Sequence, residues 1–260
     1  ANKAVVSRHM KELFGAARGN YADVAFEASV GGGIPIVRTL RGYRGDNINK
    51  MSGILNGTTN YILSRMEEGM DFKAALKLAQ ENGFAEANHE LDTGGYDARD
   101  KLAILASLAY NTQVNPEEIY CEGITDITPI DMDFADKYGT EEGGAGYSVK
   151  LLATANYNDG LELHVYPTLL NKKHPLASVR DEFNSVYIEG ELCGPQMFYG
   201  RGAGRGATTS AVISDILHVA DNIRNGVVDE LPALDSKIKF VNIRDIKRRG
   251  YVRVDLKHIP

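Results

Sequence analysis

The sequence predicts an α+β fold, with an open mixed β-sheet that carries helices on one face. Apolar residues recur at helical spacing through most of the first 110 residues. Strand-like alternation follows, and the segments 147–157 and 161–165 flank Asn158-Asp159-Gly160, a strong hairpin signal. Because helices and strands come in separate runs rather than in strict alternation, the pattern favours α+β over a doubly wound fold.

Each element follows from apolar periodicity and from the residues that start or stop it. Gly19-Asn20 stops the first helix, Pro35 suits the first turn of the second, and Asp71 caps a later helix that Gly83 ends. In chain order, the pattern predicts a helix over 4–17, a strand over 22–28, a turn at 31–33, a helix over 35–42, a strand over 48–55, a helix capped by Thr58 or Thr59, a helix after Asp71, a helix over 97–110, strands over 147–157, 161–165 and 186–192, a helix over 208–225, and a linker over 226–240.

Composition excludes several classes of protein. The chain has 260 residues, of which 43% are hydrophobic and 25% charged, as in ordinary globular proteins. A net charge of -6 argues against a nucleic-acid partner. Cys121 and Cys193 form neither a CxxC motif nor a disulfide framework, which fits a reducing cytoplasm. No apolar run approaches the roughly 20 residues that span a membrane, so no membrane partner is expected.

The segment 86–101 concentrates acidic residues around one lysine. Asp97 and Lys101 are four residues apart and share a helix face, in the order that the helix dipole favours. An ordinary solvated ion pair is the alternative, and it would contribute only a few tenths of a kcal/mol. We expect the acids of this segment to converge on Lys101; they are Glu86, Glu90, Asp92, Asp97 and Asp100.

Three further blocks accompany this segment: 1–4 (Ala-Asn-Lys-Ala), 27–36 and 53–63. In this order, the four blocks resemble the catalytic domain of homoserine dehydrogenase. The resemblance runs from Ala1 to about Asp221. It implies an oxidoreductase of threonine, methionine and isoleucine biosynthesis that interconverts L-homoserine and L-aspartate 4-semialdehyde. It also implies NADP or NAD as cofactor, a monovalent cation, a homodimer and a cytoplasmic location.

The resemblance divides the chain into four parts and adds the remnant of an adjoining Rossmann domain to the expected fold. The parts are the end of the nucleotide-binding domain at 1–25, a catalytic and dimerisation domain at 26–200, a helix returning to the cofactor cleft at 201–225, and a linker with the start of a truncated ACT-like domain at 226–260. The tail from Arg249 alternates like a strand. Such a fragment is expected to bind cofactor weakly and to be poorly active alone, because the phosphate-cradling loop belongs to the other half.

The resemblance implies Lys101 and Asp97 as the catalytic pair. Hydride transfer to an aldehyde builds negative charge on its oxygen, so a proton donor must be close. By the same resemblance Glu86 binds the substrate amino group. Asp92 also falls on an acidic position of the family. The turn that includes Gly53 and Thr58 offers backbone N–H groups beside a helix start, an anion-binding site that suits the substrate carboxylate, with Tyr61 one helical turn further on. Capping is the alternative role of Asp92 and Thr58. Asn88-His89 departs from the Asp-Pro that the family commonly shows.

The remaining implied residues concern the cofactor and a cation. The cofactor set is Ala1, Lys3, Gly202, Ala203 and Gly204, although Lys3 could equally be an exposed lysine. The segment 202–207 fits G-x-G-x-x-A, but a long helix follows it rather than a strand with a ribose-binding acid, and its Ala207 replaces a usual proline. The resemblance implies a monovalent cation, with sodium expected, held by the carbonyls of Glu27, Val30, Gly32 and Ile34. An ordinary tight turn is the alternative.

Two other functions are compatible with the sequence. One is a non-catalytic regulatory or dimerisation remnant, and the other is a different two-domain amino-acid dehydrogenase. A remnant need not keep Lys101, Asp97 and Glu86 together, so their joint presence favours an enzyme. Substrate profiling separates a homoserine dehydrogenase from a different amino-acid dehydrogenase.

Overall fold

The computed structural model describes residues 2–138, 140 and 144–254. Its helices are α1 (Lys3–Gly19), α2 (Ile36–Gly42), α3 (Gly57–Glu67), α4 (Phe72–Glu81), α5 (Glu90–Thr93), α6 (Tyr96–Ala109), α7 (Pro129–Lys137) and α8 (Arg205–Asn225). Its strands are β1 (Ile48–Ile54), β2 (Tyr120–Cys121), β3 (Tyr147–Tyr157), β4 (Leu161–Asn171), β5 (Phe183–Gly190), β6 (Gly194–Arg201) and β7 (Phe240–Val241). Short 3-10 turns lie at Glu27–Ser29, Pro116–Glu118, Pro175–Ser178 and Ile243–Asp245.

The strands form one open mixed sheet in the order β2-β4-β3-β1-β5-β6, and β7 also pairs with β4. The pairs β2–β4 and β4–β7 are parallel, and the others are antiparallel. The predicted hairpin is present, and β4 runs on to Asn171 because every residue of β3 from Tyr147 has a partner there. The fold class is therefore confirmed as α+β with an open mixed sheet.

The main core lies between one face of the sheet and the helices. Met10 and Phe14 of α1 and Leu102 and Leu105 of α6 are almost fully buried in it. Burying one such side chain contributes roughly 1.5–3 kcal/mol. A much smaller cluster covers part of the opposite face, formed by Ile54, Leu152, Leu176 and Val179. The helices therefore pack mainly on one face, as the sequence predicts.

The turn from β1 into α3 corrects the predicted cap. Asn56, not Thr58 or Thr59, caps α3, because its Oδ1 accepts a hydrogen bond from the backbone N–H of Thr59 at 2.8 Å. The helix begins at Gly57, so both threonines already lie in its first turn. In contrast, Asp71 caps α4 through the N–H of Ala74, as predicted.

The predicted strand over 22–28 does not form. Residues 22–26 have no regular structure, and Glu27–Ser29 is a 3-10 turn. Asp23 accepts hydrogen bonds from Asn222 and from the backbone N–H of Asp229, so this segment is tied to the end of α8 rather than to a neighbouring strand. Alternation alone therefore misidentified it, since a strand also needs a partner for its backbone groups.

Two other strand predictions are corrected. The strand expected over 186–192 lies at Phe183–Gly190, and it pairs with β6, which the alternation of its sequence did not reveal. Residues 249–254 of the tail form no strand; Tyr251 stacks on Phe134 with ring centroids 4.5 Å apart, and Arg253 pairs with Asp131. The remainder of the tail, 255–260, lies outside the described residues.

Helix α8 begins at Arg205, slightly before the predicted start, and ends at Asn225, after which Gly226 caps it with a φ of 65°. Its Asp215 accepts a hydrogen bond from the backbone N–H of Glu27, which joins it to the 27–36 loop. Several apolar side chains of α8 are exposed, including Ile216 and Leu217. Among the helices that the structure describes, none has the length and apolarity needed to cross a membrane.

Candidate active site

The site is assembled where β1 ends and α6 begins. Gly95 has a φ of +83°, and a side chain there would meet the sulfur of Cys121 at 3.1 Å, so a glycine suits this entry into α6. Asp97 lies in the first turn of α6 and Lys101 one turn later. The positive end of the helix dipole therefore favours the ionised form of Asp97.

Lys101 is held by two acceptors. Its Nζ donates to Asp97 Oδ2 at 2.7 Å and to the backbone oxygen of Leu55, the residue after β1, also at 2.7 Å. The side chains of Lys101 and Asp97 are only 12% and 13% exposed. The ion pair is therefore mostly buried, rather than solvated as spacing alone allows. An ammonium has three N–H donors, so these two bonds leave one for a further acceptor.

Asp97 bridges two lysines. Its Oδ1 pairs with the ammonium of Lys3, from the start of α1, while its Oδ2 faces Lys101. Burial opposes ionisation of this carboxyl, but the charges of Lys101 and Lys3 outweigh burial and hold the pKa of Asp97 well below its ordinary value. The side chain therefore stays a carboxylate at any physiological pH.

Asn56 joins this cluster, and sequence reasoning missed it. Its Nδ2 donates to Asp92 Oδ1 at 2.7 Å and to Asp97 Oδ2 at 2.9 Å. Burial and the charge of Asp97 raise the pKa of Asp92, against the opposing effect of the Asn56 hydrogen bond and the two lysines. The signal was available, because asparagine is a preferred N-cap residue at a strand-to-helix turn.

The expected convergence of five acids on Lys101 is only partly correct. Asp97 contacts the lysine directly, and Asp92 reaches the cluster through Asn56. Asp100 instead pairs with Arg8 at 3.2 Å and Arg99 at 3.3 Å, because adjacent residues of a helix point about 100° apart. The other two acids, Glu86 and Glu90, are exposed and make no ion pair within the part of the chain that the structure describes.

Glu86 nevertheless lies in a loop anchored beside the site. Thr58 Oγ1 donates to the backbone oxygen of Phe84 at 2.5 Å, and the Tyr61 ring packs against the Phe84 ring at a tilt of 46°, with centroids 4.8 Å apart. The Tyr61 hydroxyl also accepts from Asn82. The two predicted substrate residues of α3 therefore hold the loop between α4 and α5 that carries Glu86.

Gly53, also predicted to contact the substrate, has a packing role. A Cβ on it would lie 2.7 Å from Leu55 Cδ2 and 3.3 Å from the backbone oxygen of Ser185. The strand is therefore in close contact with β5 at this point. Leu55, whose carbonyl holds Lys101, follows two residues later.

The glycine loop 31–33 packs against the segment 202–204, which was predicted to be near the cofactor. Gly33 N donates to the oxygen of Arg201 at 3.0 Å, and a Cβ on Gly32, whose φ is +53°, would lie 2.6 Å from the carbonyl group of Gly202. Gly202 in turn lies against Asn184, since its added Cβ would be 2.0 Å from Asn184 Cγ. Ala203 and Gly204 are exposed, whereas the predicted Ala1 lies outside the described residues.

Asn184 is buried and has unused hydrogen-bonding capacity. Neither its Oδ1 nor its Nδ2 has a partner among residues 2–138, 140 and 144–254. An amide buried without partners costs free energy, and such groups in native proteins call for an explanation. No sequence signal marked this residue.

The four predicted cation ligands are backbone oxygens of one short loop. The oxygens of Glu27 and Ile34 already accept hydrogen bonds from Val30 N and Ile36 N, whereas those of Val30 and Gly32 accept none among the residues described. The Glu27 side chain has another role: its carboxylate accepts from Val37 N and Arg38 N, both at 2.9 Å, at the start of α2. Burial raises the pKa of Glu27, against these two hydrogen bonds.

Comparisons with known proteins identify a family and several relatives of this chain. The family model of homoserine dehydrogenase matches residues 35–217. The homoserine dehydrogenase of Synechocystis sp. is 44% identical over 275 aligned positions, covering 100% of this chain and 61% of that protein. A crystal structure of a homoserine dehydrogenase from Thiobacillus denitrificans matches with a TM-score of 0.87 and 36% identity, over 94% of this chain and 57% of that one.

A third relative was solved with a cofactor. A hyperthermophilic archaeal homoserine dehydrogenase in complex with NADPH matches with a TM-score of 0.72 and 28% identity, over 85% of this chain and 63% of that one. The chain thus spans only 57% to 63% of the length of these three relatives. Sequence and structure agree on its assignment: the chain belongs to the homoserine dehydrogenase family.

Proposed function

We propose that this chain carries the catalytic part of an NAD(P)-dependent interconversion of L-homoserine and L-aspartate 4-semialdehyde. The observation that carries the proposal is the mostly buried Lys101 of α6, whose ammonium is held by Asp97 and by the carbonyl of Leu55 and keeps one N–H for a further acceptor. A surface ion pair needs no such arrangement. Family membership supports the same reaction.

In the reduction, Lys101 donates a proton from Nζ to the aldehyde oxygen as that oxygen gains negative charge. In the oxidation, it takes the proton of the C4 hydroxyl. Asp97 keeps the lysine oriented and offsets its charge in a poorly solvated site, where electrostatic effects are strong. When bound, the nicotinamide cofactor supplies the hydride or takes it up.

The residues proposed for the cofactor lie next to a polar group that is free to bind it. Gly32 packs on Gly202, and Gly202 packs on Asn184, whose side-chain amide has no partner among the residues that the structure describes. We assign Lys3, Gly202, Ala203 and Gly204 to the cofactor side, together with Ala1. The archaeal relative solved with NADPH supports this class of cofactor and favours NADP.

The substrate is proposed to sit between α3 and the loop of Glu86. The N–H groups of Gly57 and Thr58 form no hydrogen bond with any described residue, and the start of an α-helix attracts anions. They suit the substrate carboxylate, while Glu86 and Asp92 provide negative charge for its amino group. Thr58 and Tyr61 hold the loop in place.

The test is a substrate profile of the full-length protein. We expect NADPH oxidation with L-aspartate 4-semialdehyde and NADP reduction with L-homoserine. L-serine, L-threonine and L-glutamate are the comparison substrates. A higher kcat/KM for any of these than for homoserine would identify a different amino-acid dehydrogenase, and no turnover with any of them would favour a non-catalytic remnant.

Replacing Glu86 by glutamine is expected to raise the KM for homoserine with a smaller change in kcat. The reason is that Glu86 contacts the substrate amine in both the ground state and the transition state, so its loss weakens binding uniformly. Steady-state kinetics measure the change. The matched control is Glu90→Gln, which removes another exposed acid of the same region. Equal KM values in both variants would contradict the assignment of Glu86.

We propose that a monovalent cation, sodium by preference, binds the carbonyls of Glu27, Val30, Gly32 and Ile34, where it would tie the loop to α2. The oxygens of Val30 and Gly32 accept no hydrogen bond from any described residue, which suits a hard cation. Sodium at ten times its Kd would then stabilise the fold by about 1.4 kcal/mol. Thermal unfolding in NaCl and in choline chloride at equal ionic strength measures this, and identical midpoints would contradict the site.

A homodimer formed through the sheet is the proposed assembly. On one side β6 pairs with no strand among the residues that the structure describes, and its exposed side chains include Met197 and Tyr199, the latter 55% exposed. Two-fold pairing would cover such an edge. Light scattering at micromolar concentration should give twice the 28.4 kDa mass of these 260 residues. We expect Tyr199→Glu to weaken the dimer and Tyr21→Glu, outside the sheet, to leave it intact; a monomeric wild type would contradict the proposal.

A further inference from the structure

We propose that Asn56 is a positioning residue: it fixes the carboxylates of Asp92 and Asp97 in one geometry and thereby sets the orientation of Lys101. The inference rests on the proposed function. It gives a catalytic purpose to a side chain that could otherwise be explained as the cap of α3 alone.

The orientation of the Asn56 amide is determined by its contacts. Oδ1 must be the atom that accepts from Thr59 N at 2.8 Å, because a backbone N–H needs an acceptor. Nδ2 is therefore the atom that faces the carboxylates, and its two N–H groups match the two acceptors at 2.7 and 2.9 Å. Asn56 is only 4% exposed. Every polar atom of this buried side chain is thus in use.

Asn56 acts on the same carboxylate oxygen as the catalytic lysine. Asp97 Oδ2 accepts from Asn56 Nδ2 and from Lys101 Nζ, while Asp97 Oδ1 pairs with Lys3. A carboxylate that is bonded at both of its oxygens cannot rotate freely. The residue before Asn56 contributes as well, since the Leu55 carbonyl accepts from Lys101. The dipeptide that follows β1 therefore holds Lys101 directly, through the Leu55 carbonyl, and indirectly, through the bond from Asn56 to Asp97.

The amide also lets two carboxylates share one buried site. Asp92 and Asp97 repel each other when both are ionised. A neutral donor that bonds to both carboxylates offsets this repulsion, and because it carries no charge it leaves Lys101 as the ion-pair partner of Asp97. The charged groups that face the pair are Lys3 and Lys101. Removing the amide should therefore make the acidic pair easier to protonate.

Capping and positioning can be separated by mutation. Serine caps a helix about as well as asparagine, but it cannot donate two hydrogen bonds while its oxygen accepts from Thr59. Asn56→Ser in the full-length protein therefore retains the cap of α3 and removes the two hydrogen bonds to Asp92 and Asp97. Asp71→Ala is the matched control, because it removes the cap of α4, away from the site, at a cost of roughly 1 kcal/mol.

The readout is the pH dependence of kcat for NADPH-linked reduction of aspartate semialdehyde. We expect Asn56→Ser to lower kcat by about 10- to 100-fold, as for a misplaced reacting group, with a smaller effect on KM. The acid limb of the variant's pH profile, which is the pH range in which kcat falls as the solution becomes more acidic, should move to higher pH. Asp71→Ala should lower the unfolding midpoint and leave kcat and the acid limb unchanged. A folded Asn56→Ser variant with wild-type kcat and acid limb would overturn the inference.

A second variant covers the case in which Asn56→Ser does not fold. Asp92→Asn removes the repelling charge and leaves Asn56 on Asp97, so the acid limb should move to lower pH. An unmoved acid limb in this variant would also overturn the inference. If the wild type failed to reduce aspartate semialdehyde, the proposed function itself would fail; an active wild type with unaffected variants would reject only the role of Asn56.

Discussion

Replacing Lys101 by alanine is expected to lower turnover of homoserine by roughly 10²- to 10⁴-fold, the range for a positioned general acid or base. The substitution removes the proposed proton donor while Asp97 keeps its pairing with Lys3 and Asn56. The fold should therefore survive. Steady-state kinetics and thermal unfolding of the full-length protein measure the two effects separately.

The matched control is Lys77→Ala. Lys77 also lies on a helix and also pairs with an acid four residues away, Glu81, but its side chain is 77% exposed. Its loss should leave turnover unchanged. If Lys101→Ala kept near wild-type turnover, the catalytic assignment would be wrong, and Lys3 would become the leading proton donor.

Replacing Asp97 by alanine is expected to lower the free energy of unfolding by about 3 kcal/mol, because removing one partner of a mostly buried ion pair leaves the other charge without a counterion. Lys101 is 12% exposed and would lose its counterion, while the more exposed Lys3 can turn to solvent. Turnover should fall as well, since the lysine is no longer held. Urea unfolding at pH 7 measures the stability change.

The pH dependence of this difference follows from the pKa of Asp97. Because the folded-state pKa lies below the unfolded value of about 3.9, the ion pairs contribute in full above pH 4 and are lost as the pH falls through the folded pKa. The difference in the free energy of unfolding between wild type and Asp97→Ala should therefore narrow below about pH 4.

Asp133→Ala is the control, since Asp133 forms the same kind of ion pair with Lys137 but is 61% exposed. It should change the free energy of unfolding by less than about 1 kcal/mol. Equal effects of the two substitutions would contradict the buried pair.

Local signals predicted much of the fold. The boundaries of β3 match the predicted 147–157, and Asp71 caps α4, because strand alternation and helix caps depend on residues close in sequence. The prediction over 22–28 was wrong because the alternation was real but no strand lay beside it. Pairing partners are a tertiary property that a single segment does not contain.

The site, too, could be predicted from the sequence only in part. The spacing of Asp97 and Lys101 and the family resemblance identified the central pair, which the structure places in contact. Asn56 and the Leu55 carbonyl come from a strand end far away in sequence, so neither could be placed beside Lys101 by helix geometry. Conversely, Glu90 and Asp100 fell in the acidic segment, yet neither contacts Lys101 in the structure. Proximity in sequence identified candidates, and tertiary contacts selected among them.

The central claim is that Lys101 transfers the proton, and chemical rescue of Lys101→Ala tests it most directly. Small primary amines added to the full-length variant should restore part of its turnover. The rescued rate should depend on the pKa of the amine, because a proton donor or acceptor obeys a Brønsted relation. The same amines should leave the wild type unaffected. A folded Lys101→Ala variant that no amine rescues, or a rescued rate independent of amine pKa, would contradict the account.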